Sequence, residues 1–308
     1  MRSVRFNGPI HRINDHTTHR LRRAMEIVLR RAQPGDKRTV EDLCRRIWGR
    51  HDYLPEVFDE WVRDRRGGLW LASIDDRVVG VAKLTLLGDR EAWLHALRVD
   101  PRCRRRGVAT ALVAHRLDRA KRLGARVARL DTGDDNIAVQ RLARRFAFRR
   151  VGRYTFWRRR ARVGPVPRSA VAADLNALER LALTGDGLLH ERFARRALDR
   201  KDLARAIRRH DCLVAGRLGR PLAMAIVDRT SLPAGTRSGA ALERLRVLHL
   251  GGSGQGLRSL LAALPAEAAR RGLQNVGIPA QARHWPALRA LQYRRPWPDS
   301  MLLFEKTI

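Results

Sequence analysis

This chain of 308 residues has few cysteines, few lysines and no long apolar stretch. Its three cysteines, Cys44, Cys103 and Cys212, form no C-x-x-C pair. This excludes a disulfide scaffold and a cysteine zinc site, and reduced thiols are typical of a cytoplasmic protein. No segment approaches the roughly 18 consecutive apolar residues that a membrane span requires, which excludes an integral membrane protein. No histidine pair forms an H-E-x-x-H motif, so we expect no metal site.

Lysine supplies only five of the 64 basic residues and arginine the other 59, and with 31 acidic residues the formal net charge is +33. Nucleic acids, membrane surfaces and acidic ligands are the usual partners of such a charge. The arginines are spread along the chain, and their abundance together with alanine is typical of a GC-rich coding sequence. We therefore interpret most of the charge as a solvated surface. Nucleic-acid binding stays open as an alternative, and a membrane partner is not expected.

The length indicates two domains. We expect a disordered basic N-terminal extension over 1–24, which contains His11, His16 and His19. A first domain is predicted over 25–160, a linker over 161–169 and a second domain over 170–308. Translation could begin at Met1 or at Met25, and the protein is expected to be a monomer or a dimer.

Hydrophobic periodicity predicts an α/β (α+β) fold with a mixed, mostly antiparallel sheet. The first half reads as a strand, two helices, a three-stranded meander, and then helix, strand, helix, strand. Its predicted strands are 26–30, 69–74, 78–87, 91–99, 127–130 and 151–157. The order partly recurs in the second half, with strands at 212–218, 221–227, 245–250, 275–278 and 301–305. We infer an internal duplication with a degenerate second copy.

A phosphate site is predicted where the third meander strand meets the following helix. Gly107 allows close backbone approach, and Ala109 keeps the start of the helix free of bulk. The first backbone N–H groups of a helix have no partner within it, and the helix dipole adds positive charge there. Arg104, Arg105 and Arg106 stand directly before the helix. The segment therefore predicts binding of a phosphate or pyrophosphate.

This segment resembles a known family signature. Arg104-x-x-Gly107-x-Ala109, after the Leu-x-Val-x-Pro of Leu97 to Pro101, resembles the acetyl-CoA motif of the GNAT superfamily of N-acetyltransferases, and the resemblance covers 26–158. It implies a GNAT fold, followed by a degenerate GNAT-like domain, and acetyl-CoA as acetyl donor. It further implies that the acetyl and pantetheine arm lies along Leu97, Arg98 and Val99, with Asn136 as a further contact. The residues implied for the pyrophosphate are Arg104, Arg105, Arg106, Gly107, Val108, Ala109 and Thr110.

One family position is changed. In the pattern that runs from Asn136 to Phe148, the tyrosine that usually donates a proton to the leaving thiolate is Ala143, and the glycine is Ala147. The resemblance therefore supplies no dedicated general acid. Water or another hydroxyl, such as that of Tyr154, is expected to take its place.

Two residues are candidates for the general base, because an amine must lose its proton before it attacks. His95 is predicted to alternate with Trp93 and Leu97 on one strand face. The stretch from Trp93 to Val99 also resembles serotonin N-acetyltransferases, whose second catalytic histidine falls on His95. Asp131 lies where some ribosomal-protein N-acetyltransferases place a catalytic glutamate. A structural strand histidine and a solvent-exposed acid are the alternatives.

The acceptor pocket is predicted around His51, Asp52 and Tyr53, with Trp93. The Asp-Tyr-Leu-Pro stretch and the degenerate second copy resemble the histidine N-acetyltransferase group and its bacterial relatives. This resemblance implies a free amino acid or another small primary amine as acceptor. A protein N-terminus or lysine, and a nucleic-acid-binding or scaffolding role on an inactive fold, are the alternatives. The glycine run Gly251–Gly256 is predicted to be a loop, and alone it is a weak signal for a second cofactor.

Overall fold

The computed structural model describes residues 4–6, 26–88, 90–191, 193–231 and 243–308. Most of the predicted N-terminal extension, with its histidines and Met25, lies outside the described residues. The described chain divides into two compact units. The first comprises the residues up to Leu130 together with Lys306–Ile308, and the second runs from Asp131 to Glu305.

In its described residues, the first unit is a sheet with three α-helices. Its elements are β1 (Val4–Phe6), β2 (Ile27–Arg31), α1 (Lys37–Trp48), α2 (Leu54–Arg63), β3 (Gly68–Ile74), β4 (Arg77–Leu87), β5 (Glu91–Val99), α3 (Val108–Arg122) and the start of β6 (Val127–Gly133). The strands follow chain order from β1 to β6. All neighbours are antiparallel except β5 and β6, which are parallel.

Apolar residues at helical spacing fix the helices of this unit on its sheet. In α3, Val108, Ala111 and Leu112 are buried against Leu29 and Ala82 of the strands. In α2, the inward residues are Leu54, Val57, Phe58 and Trp61. Burial of side chains of this size contributes roughly 1.5–3 kcal/mol each.

The second unit contains a seven-stranded sheet, a separate two-stranded sheet and five helices among its described residues. Its elements are α4 (Ile137–Arg145), β7 (Arg149–Arg160), β8 (Arg168–Ser169), α5 (Leu175–Thr184), β9 (Leu188–His190), β10 (Arg195–Ala197), α6 (Arg200–Arg208), β11 (Cys212–Arg217), β12 (Arg220–Ser231), β13 (Glu243–Gly252), α7 (Gly254–Arg270), β14 (Asn275–Gln281), α8 (Trp285–Ala290) and β15 (Met301–Thr307). The larger sheet has the order β15-β7-β14-β13-β12-β11-β8, and β9 pairs with β10. The predicted α/β fold with a mostly antiparallel sheet is confirmed.

The boundary between the units differs from the sequence interpretation, which ended the first domain at residue 160. β7 pairs with β14 from Arg160↔Asn275 to Tyr154↔Gln281 and with β15 on its other edge. These ladders make β7 part of the second unit. Strand pairing of this kind joins segments distant in sequence, so chain order alone does not predict it.

The glycine run is not a loop. Gly251 and Gly252 end β13, and α7 begins at Gly254, so Ser253 alone separates strand from helix. A side chain at Gly252 would meet Leu222 O at 2.6 Å, and one at Gly256 would meet Leu222 Cβ at 2.5 Å. The glycines therefore allow close packing on β12.

Candidate active site

The site in the first unit begins with a bulge in β5. Lys83 of β4 pairs with His95 and Val81 pairs with Arg98, so β5 carries an extra residue opposite Ala82. Ala96 takes up the irregularity with a φ of 53°. This bulge ends the simple alternation that the sequence predicted for Trp93, His95 and Leu97, because an inserted residue reverses the facing of those that follow.

From Leu94 onward, the other edge of β5 has no ladder partner among the described residues. Pairing with β6 covers only Glu91↔Val127 to Trp93↔Arg129, whereas β5 continues to Val99. We call this stretch, 94–99, the open edge of β5. Backbone N–H and C=O groups on an unpaired strand edge are available to a ligand.

A buried arginine holds the bulge in place. The Arg116 guanidinium of α3 donates to Lys83 O at 3.1 Å and to His95 O at 3.2 Å, and its Nε donates to Leu112 O at 3.0 Å. Burial lowers the pKa of Arg116 to about 9. The side chain therefore remains charged at neutral pH, and it satisfies carbonyls that the irregular pairing exposes.

The segment 100–107, here called the arginine turn, leads from β5 into α3. Asp100 is buried, accepts from Arg102 N at 3.0 Å and pairs with Arg46 at 3.1 Å. Arg104, Arg105 and Arg106 are exposed, and Arg105 has a φ of 62°. A non-glycine residue in the left-handed region is uncommon and marks a constrained backbone.

Gly107 completes the turn with a φ of 83° as N-cap of α3. No side chain caps this helix, and its first hydrogen bond runs from Ala111 N to Gly107 O at 2.9 Å. The N–H groups of Val108, Ala109 and Thr110 precede that bond and have no acceptor within the helix. The geometry is that of an anion site at a helix N-terminus.

The predicted acceptor loop is tied to the open edge of β5. Arg98 donates to Asp52 through Nε at 2.8 Å and Nη2 at 3.0 Å, and its guanidinium lies 5.5 Å from the centre of the Tyr53 ring. Burial opposes ionisation of Asp52, but the hydrogen bonds and charge of Arg98 outweigh it and lower the pKa of the carboxyl. Asp52 is therefore an anionic partner that positions the loop, while His51 is exposed. Trp93 is buried in the interior, with 1% of its surface exposed.

His95 lies at the bulge with one ring nitrogen bonded. Its Nε2 is 2.9 Å from Thr85 Oγ1, and its ring packs edge-on to Trp61 with centroids 4.8 Å apart. Its Nδ1 is buried and has no hydrogen-bond partner among the described residues. Burial, then the charges of Lys83, Arg116 and Arg98, hold the pKa of His95 well below its ordinary value. The imidazole is therefore neutral at neutral pH.

Asp131 and Asn136 lie in the second unit. Asp131 forms an ion pair with Arg195, whose Nε also donates to His190 Nδ1 at 3.2 Å. The Asn136 side chain accepts from Val139 N at 3.3 Å and caps α4. Ala143, which stands at the usual tyrosine position, is buried in the same helix. The structure thus pairs the carboxylate of Asp131 with a cation.

Tyr154 belongs to a hydrogen-bonded cluster in the second unit that includes Asp186 and His190. Its hydroxyl donates to Asp186 Oδ2 at 2.8 Å and accepts from Gln281 Nε2 at 3.1 Å. Because Arg195 donates to Nδ1 of His190, the ring proton is on Nε2, which donates to Asp186 at 2.7 Å. Burial and the charge of Asp186 raise the pKa of Tyr154, so its hydroxyl keeps its proton.

Asp186 and His190 were not predicted from the sequence. They stand four residues apart in a segment without a recognisable motif, and their partners come from β7, β10 and β14. The Asp-x-x-x-His spacing was the only local signal. Among the described residues, no group of three or more His, Cys, Asp or Glu is placed to hold a metal ion. In the same part of the chain, no helix is long and apolar enough to cross a membrane.

Comparison with known families identifies the segment that contains the arginine turn. Residues 37–148 match the Acetyltransferase (GNAT) family. This segment of the chain is a GNAT acetyltransferase domain. It includes the open edge of β5, the arginine turn, α3, β6 and α4. The predicted GNAT domain and the predicted enzyme class are confirmed for this segment, and transfer of an acyl group to an amine is the chemistry that this fold supports.

Solved structures share the fold over most of the chain. A GCN5-related N-acetyltransferase from Sphaerobacter thermophilus matches with a TM-score of 0.62 and 15% identity, covering 91% of this chain and 95% of its own. A glucosamine N-acetyltransferase region of a fungal multi-domain β-N-acetylglucosaminidase matches with a TM-score of 0.63 and 14% identity, covering 92% of this chain and 38% of its own. No curated protein matches the sequence. At these identities the likeness concerns the fold.

The residues of the GNAT domain fit acetyl-CoA. The uncapped start of α3, the left-handed Gly107 and three exposed arginines form a cradle suited to a pyrophosphate. The open edge of β5 offers backbone groups to an amide-containing arm. No carboxylate in the arginine turn opposes an anion, because the buried Asp100 is paired with Arg46.

Proposed function

We propose that the chain is an acetyl-CoA-dependent N-acetyltransferase that acts on the primary amine of a small molecule or a free amino acid. The observation that carries the proposal is the arginine turn, in which an uncapped helix start follows a bulged strand with an open edge. The proposed contacts are Arg104–Arg106 and the backbone of 107–110 to the pyrophosphate, and the backbone of 97–99 to the pantetheine arm. Asn136 is a further proposed contact. Bound acetyl-CoA supplies a thioester as the acetyl source.

We propose that the chain holds a proton acceptor near the open edge. When Nε2 of His95 donates to Thr85, Nδ1 is the bare nitrogen and can accept a proton from the amine. Its lowered pKa makes it a weaker base than an ordinary imidazole, which counts against this role. Asp131 is the second candidate, and its pairing with Arg195 disfavours protonation of that carboxylate.

The proposal of a small-molecule acceptor is supported by the contacts that hold the 51–53 loop in one conformation. Asp52 is buried and accepts two hydrogen bonds from Arg98, and Tyr53 lies beside the same guanidinium. A loop fixed in this way suits a compact ligand better than a long peptide. The fungal neighbour named a glucosamine N-acetyltransferase region likewise has an amine on a small molecule as its acceptor. We propose the second unit as a degenerate GNAT copy.

The test follows thiol release from acetyl-CoA with the full chain across free amino acids, amino sugars, polyamines and peptides with free N-termini. The proposal expects turnover with at least one small amine and none with peptides at equal concentration. Turnover confined to peptides would overturn the acceptor class. Absence of thiol release, with acetyl-CoA binding retained, would overturn the activity.

A second candidate function rests on a groove in the second unit. The groove, of about 900 Å³, is lined by Arg158, Arg159, Arg160, Arg162 and Arg294, with Ala161, Gln292 and Tyr293. None of the five arginines forms an ion pair with a described residue, in contrast to arginines such as Arg168 and Arg196. Unpaired guanidinium groups gathered in a groove suit the phosphates of a nucleic acid.

Binding of a short duplex DNA and a duplex RNA at several salt concentrations tests this second function. The variant R158Q/R160Q/R294Q is expected to lower the slope of log K against log salt by about 2 to 3. The matched variant R217Q/R220Q/R258Q removes three exposed arginines elsewhere in the same unit and should change it less. Equal slopes in both variants, or no binding at physiological salt, would rule the groove out.

A further inference from the structure

One face of the larger sheet in the second unit carries arginines in two adjacent rows. Its central strand is β14, which contributes Asn275 to the first row and Gly277 to the second, with β7 on one side and β13 on the other. Residues paired across strands, and residues two apart on one strand, lie on the same face. We call this surface the arginine face. Its arginines are Arg160 and Arg244 in the row of Asn275, and Arg158 and Arg246 in the row of Gly277.

Packing holds Arg244 in place on the arginine face. The residue is 4% exposed, and its guanidinium carbon lies 5.3 Å from the centre of the Phe156 ring. Phe156 in turn stacks on Trp297, with the ring centroids 5.5 Å apart. Gly277 makes room for this arrangement, because a Cβ there would meet Cζ of Phe156 at 2.7 Å and Cδ of Arg244 at 3.1 Å. The guanidinium is therefore positioned before any ligand binds, which lowers the entropic cost of binding.

The charge of Arg244 has no counter-ion in the described part of the chain. Its Nε is buried without a hydrogen-bond partner, and no described carboxylate forms an ion pair with the side chain. Burial, then the charges of Arg158 and Arg246, lower the pKa of Arg244. Arginines are seldom this buried unless they are paired, because removing an ion from water is costly. A buried cation that has only like charges beside it therefore indicates a site for an anion.

A second guanidinium on the arginine face is available to the same anion. Arg158 is exposed and forms no ion pair with a described residue, and its charge acts on Arg244. Arg246 is already engaged, because its Nη2 donates to His190 O at 2.6 Å and its Nε lies 4.0 Å from Asp228 Oδ1. Among described residues, Nη1 and Nη2 of Arg244 have no acceptor. An anion can therefore accept from Arg244 and Arg158 together.

The charge of the site selects among anions. Two unpaired guanidinium groups present two positive charges, and the exposed Arg160 adds a third to the same face. A carboxylate or a phosphodiester carries one negative charge, whereas a phosphate monoester carries close to two at neutral pH and has three terminal oxygens. The guanidinium fork matches pairs of such oxygens. Water is uncharged and leaves the buried cation without compensation. A phosphate monoester therefore fits this site best.

We propose that the arginine face binds the phosphate group of a small phosphate monoester through Arg244 and Arg158. The proposal goes beyond the proposed function, because binding here requires neither acetyl-CoA nor an amine acceptor. It also differs from the second candidate function. Arg158 and Arg160 line the groove described for a nucleic acid, but Arg244 does not. The phosphates within a nucleic acid are diesters, so a preference for the monoester separates the two ligands.

The test titrates methyl phosphate into the full-chain variant R104Q/R105Q/R106Q, which lacks the cationic side chains of the arginine turn. Nitrogen-15 NMR follows the arginine Nε–H signals, and the signal of Arg244 is identified by its absence in Arg244→Lys. Methyl phosphate should shift this signal saturably. Dimethyl phosphate and acetate, which carry a single charge, should bind about tenfold more weakly or less. A shift that does not saturate, or equal affinities for methyl phosphate and dimethyl phosphate, would overturn the proposal.

Arg158→Gln in the same protein locates the site without altering a buried residue. Loss of one unpaired charge should weaken methyl phosphate binding by about tenfold and reduce its advantage over dimethyl phosphate. Arg217→Gln, at an exposed arginine elsewhere in the second unit, is the matched control and should leave both affinities unchanged. Calorimetry gives these affinities, so the comparison stands where Arg244→Lys does not fold. Equal methyl phosphate affinities in Arg158→Gln and Arg217→Gln would overturn the proposal.

Discussion

Strands β5 and β13 share one backbone arrangement but carry different side chains where each leads into a helix. Each strand carries a bulge, pairs in parallel with its neighbour over a short stretch and then leads into a helix. In the first unit the connection is the arginine turn with exposed cationic side chains. In the second, Ser253 alone connects strand and helix. The polar side chains nearby, His249 and His284, line a buried cavity of about 10 Å³.

Because both strands carry a bulge, the two units differ in the connection from strand to helix rather than in the strand itself. A long turn with a left-handed Gly107 leaves the start of α3 open and surrounds it with arginines. In the second unit, close packing of Gly252 and Gly256 on Leu222 leaves no comparable turn. We therefore expect anion binding at the arginine turn of the first unit and not at the corresponding connection of the second.

The largest effect is expected at Gly107. Gly107→Val places a β-branched residue at a φ of 83°, so the turn must change conformation and the N–H cradle is lost. Acetyl-CoA affinity should fall about a hundredfold, measured by calorimetry. Gly124→Val is the matched control, since Gly124 has a φ of 85° at the other end of α3. Equal losses of acetyl-CoA affinity in both variants would show that backbone strain in α3, and not loss of the N–H cradle, lowers the affinity.

Removal of the arginine that holds the bulge should destabilise the first unit. Arg116→Leu leaves the carbonyls of Lys83 and His95 without their donor and should lower the free energy of unfolding by about 2 to 3 kcal/mol. Urea unfolding measures this. Lys121→Leu, an exposed change in the same helix, should have little effect. Similar stability of both variants would mean that the bulge does not depend on Arg116.

Acid should weaken the second unit through His284. Its pKa is about 4 in the fold and about 6.5 in the unfolded chain, so between these values the unfolded state binds more protons. This contribution is complete above pH 6.5 and is lost as the pH falls, by about 2 kcal/mol between pH 7 and pH 5. Thermal unfolding of His284→Phe should lack that part of the pH dependence. An identical pH dependence in parent and variant would contradict a buried neutral His284.

A smaller effect is expected at His95. His95→Gln should lower turnover at least tenfold with acetyl-CoA affinity unchanged, because the change removes the bare Nδ1 and leaves the arginine turn intact. Steady-state kinetics and calorimetry on the same preparation measure the two quantities. Asp131→Asn, measured in the same way, tests the second candidate for the general base. Unaltered turnover in His95→Gln would remove His95 from the mechanism.

The sequence predicted those features of the site that depend on residues adjacent in the chain. Gly107, the arginines before it and the strand-to-helix order come from neighbouring residues, and all are present in the structure. The bulge at Ala96 and the pair between Arg98 and Asp52 were not predicted. Both depend on contacts between segments far apart in sequence, which periodicity does not report.

The cluster in the second unit illustrates the same limit. Tyr154 was noted only for its hydroxyl, and in the structure that hydroxyl donates a hydrogen bond to Asp186. His249 and His284 stand in a strand and beside a short helix, with no shared motif. Their common cavity arises where β13 separates from β14, so only the assembled sheet reveals it.

Calorimetric titration of acetyl-CoA into the full chain and into R104Q/R105Q/R106Q tests the central claim most directly. R217Q/R220Q/R258Q serves as the charge-matched control. The account predicts one site per chain in the parent and the control, and an affinity reduced by on the order of a hundredfold in the arginine-turn variant. Two sites per chain, or equal binding by all three proteins, would contradict a single acetyl-CoA site at the arginine turn of the first unit.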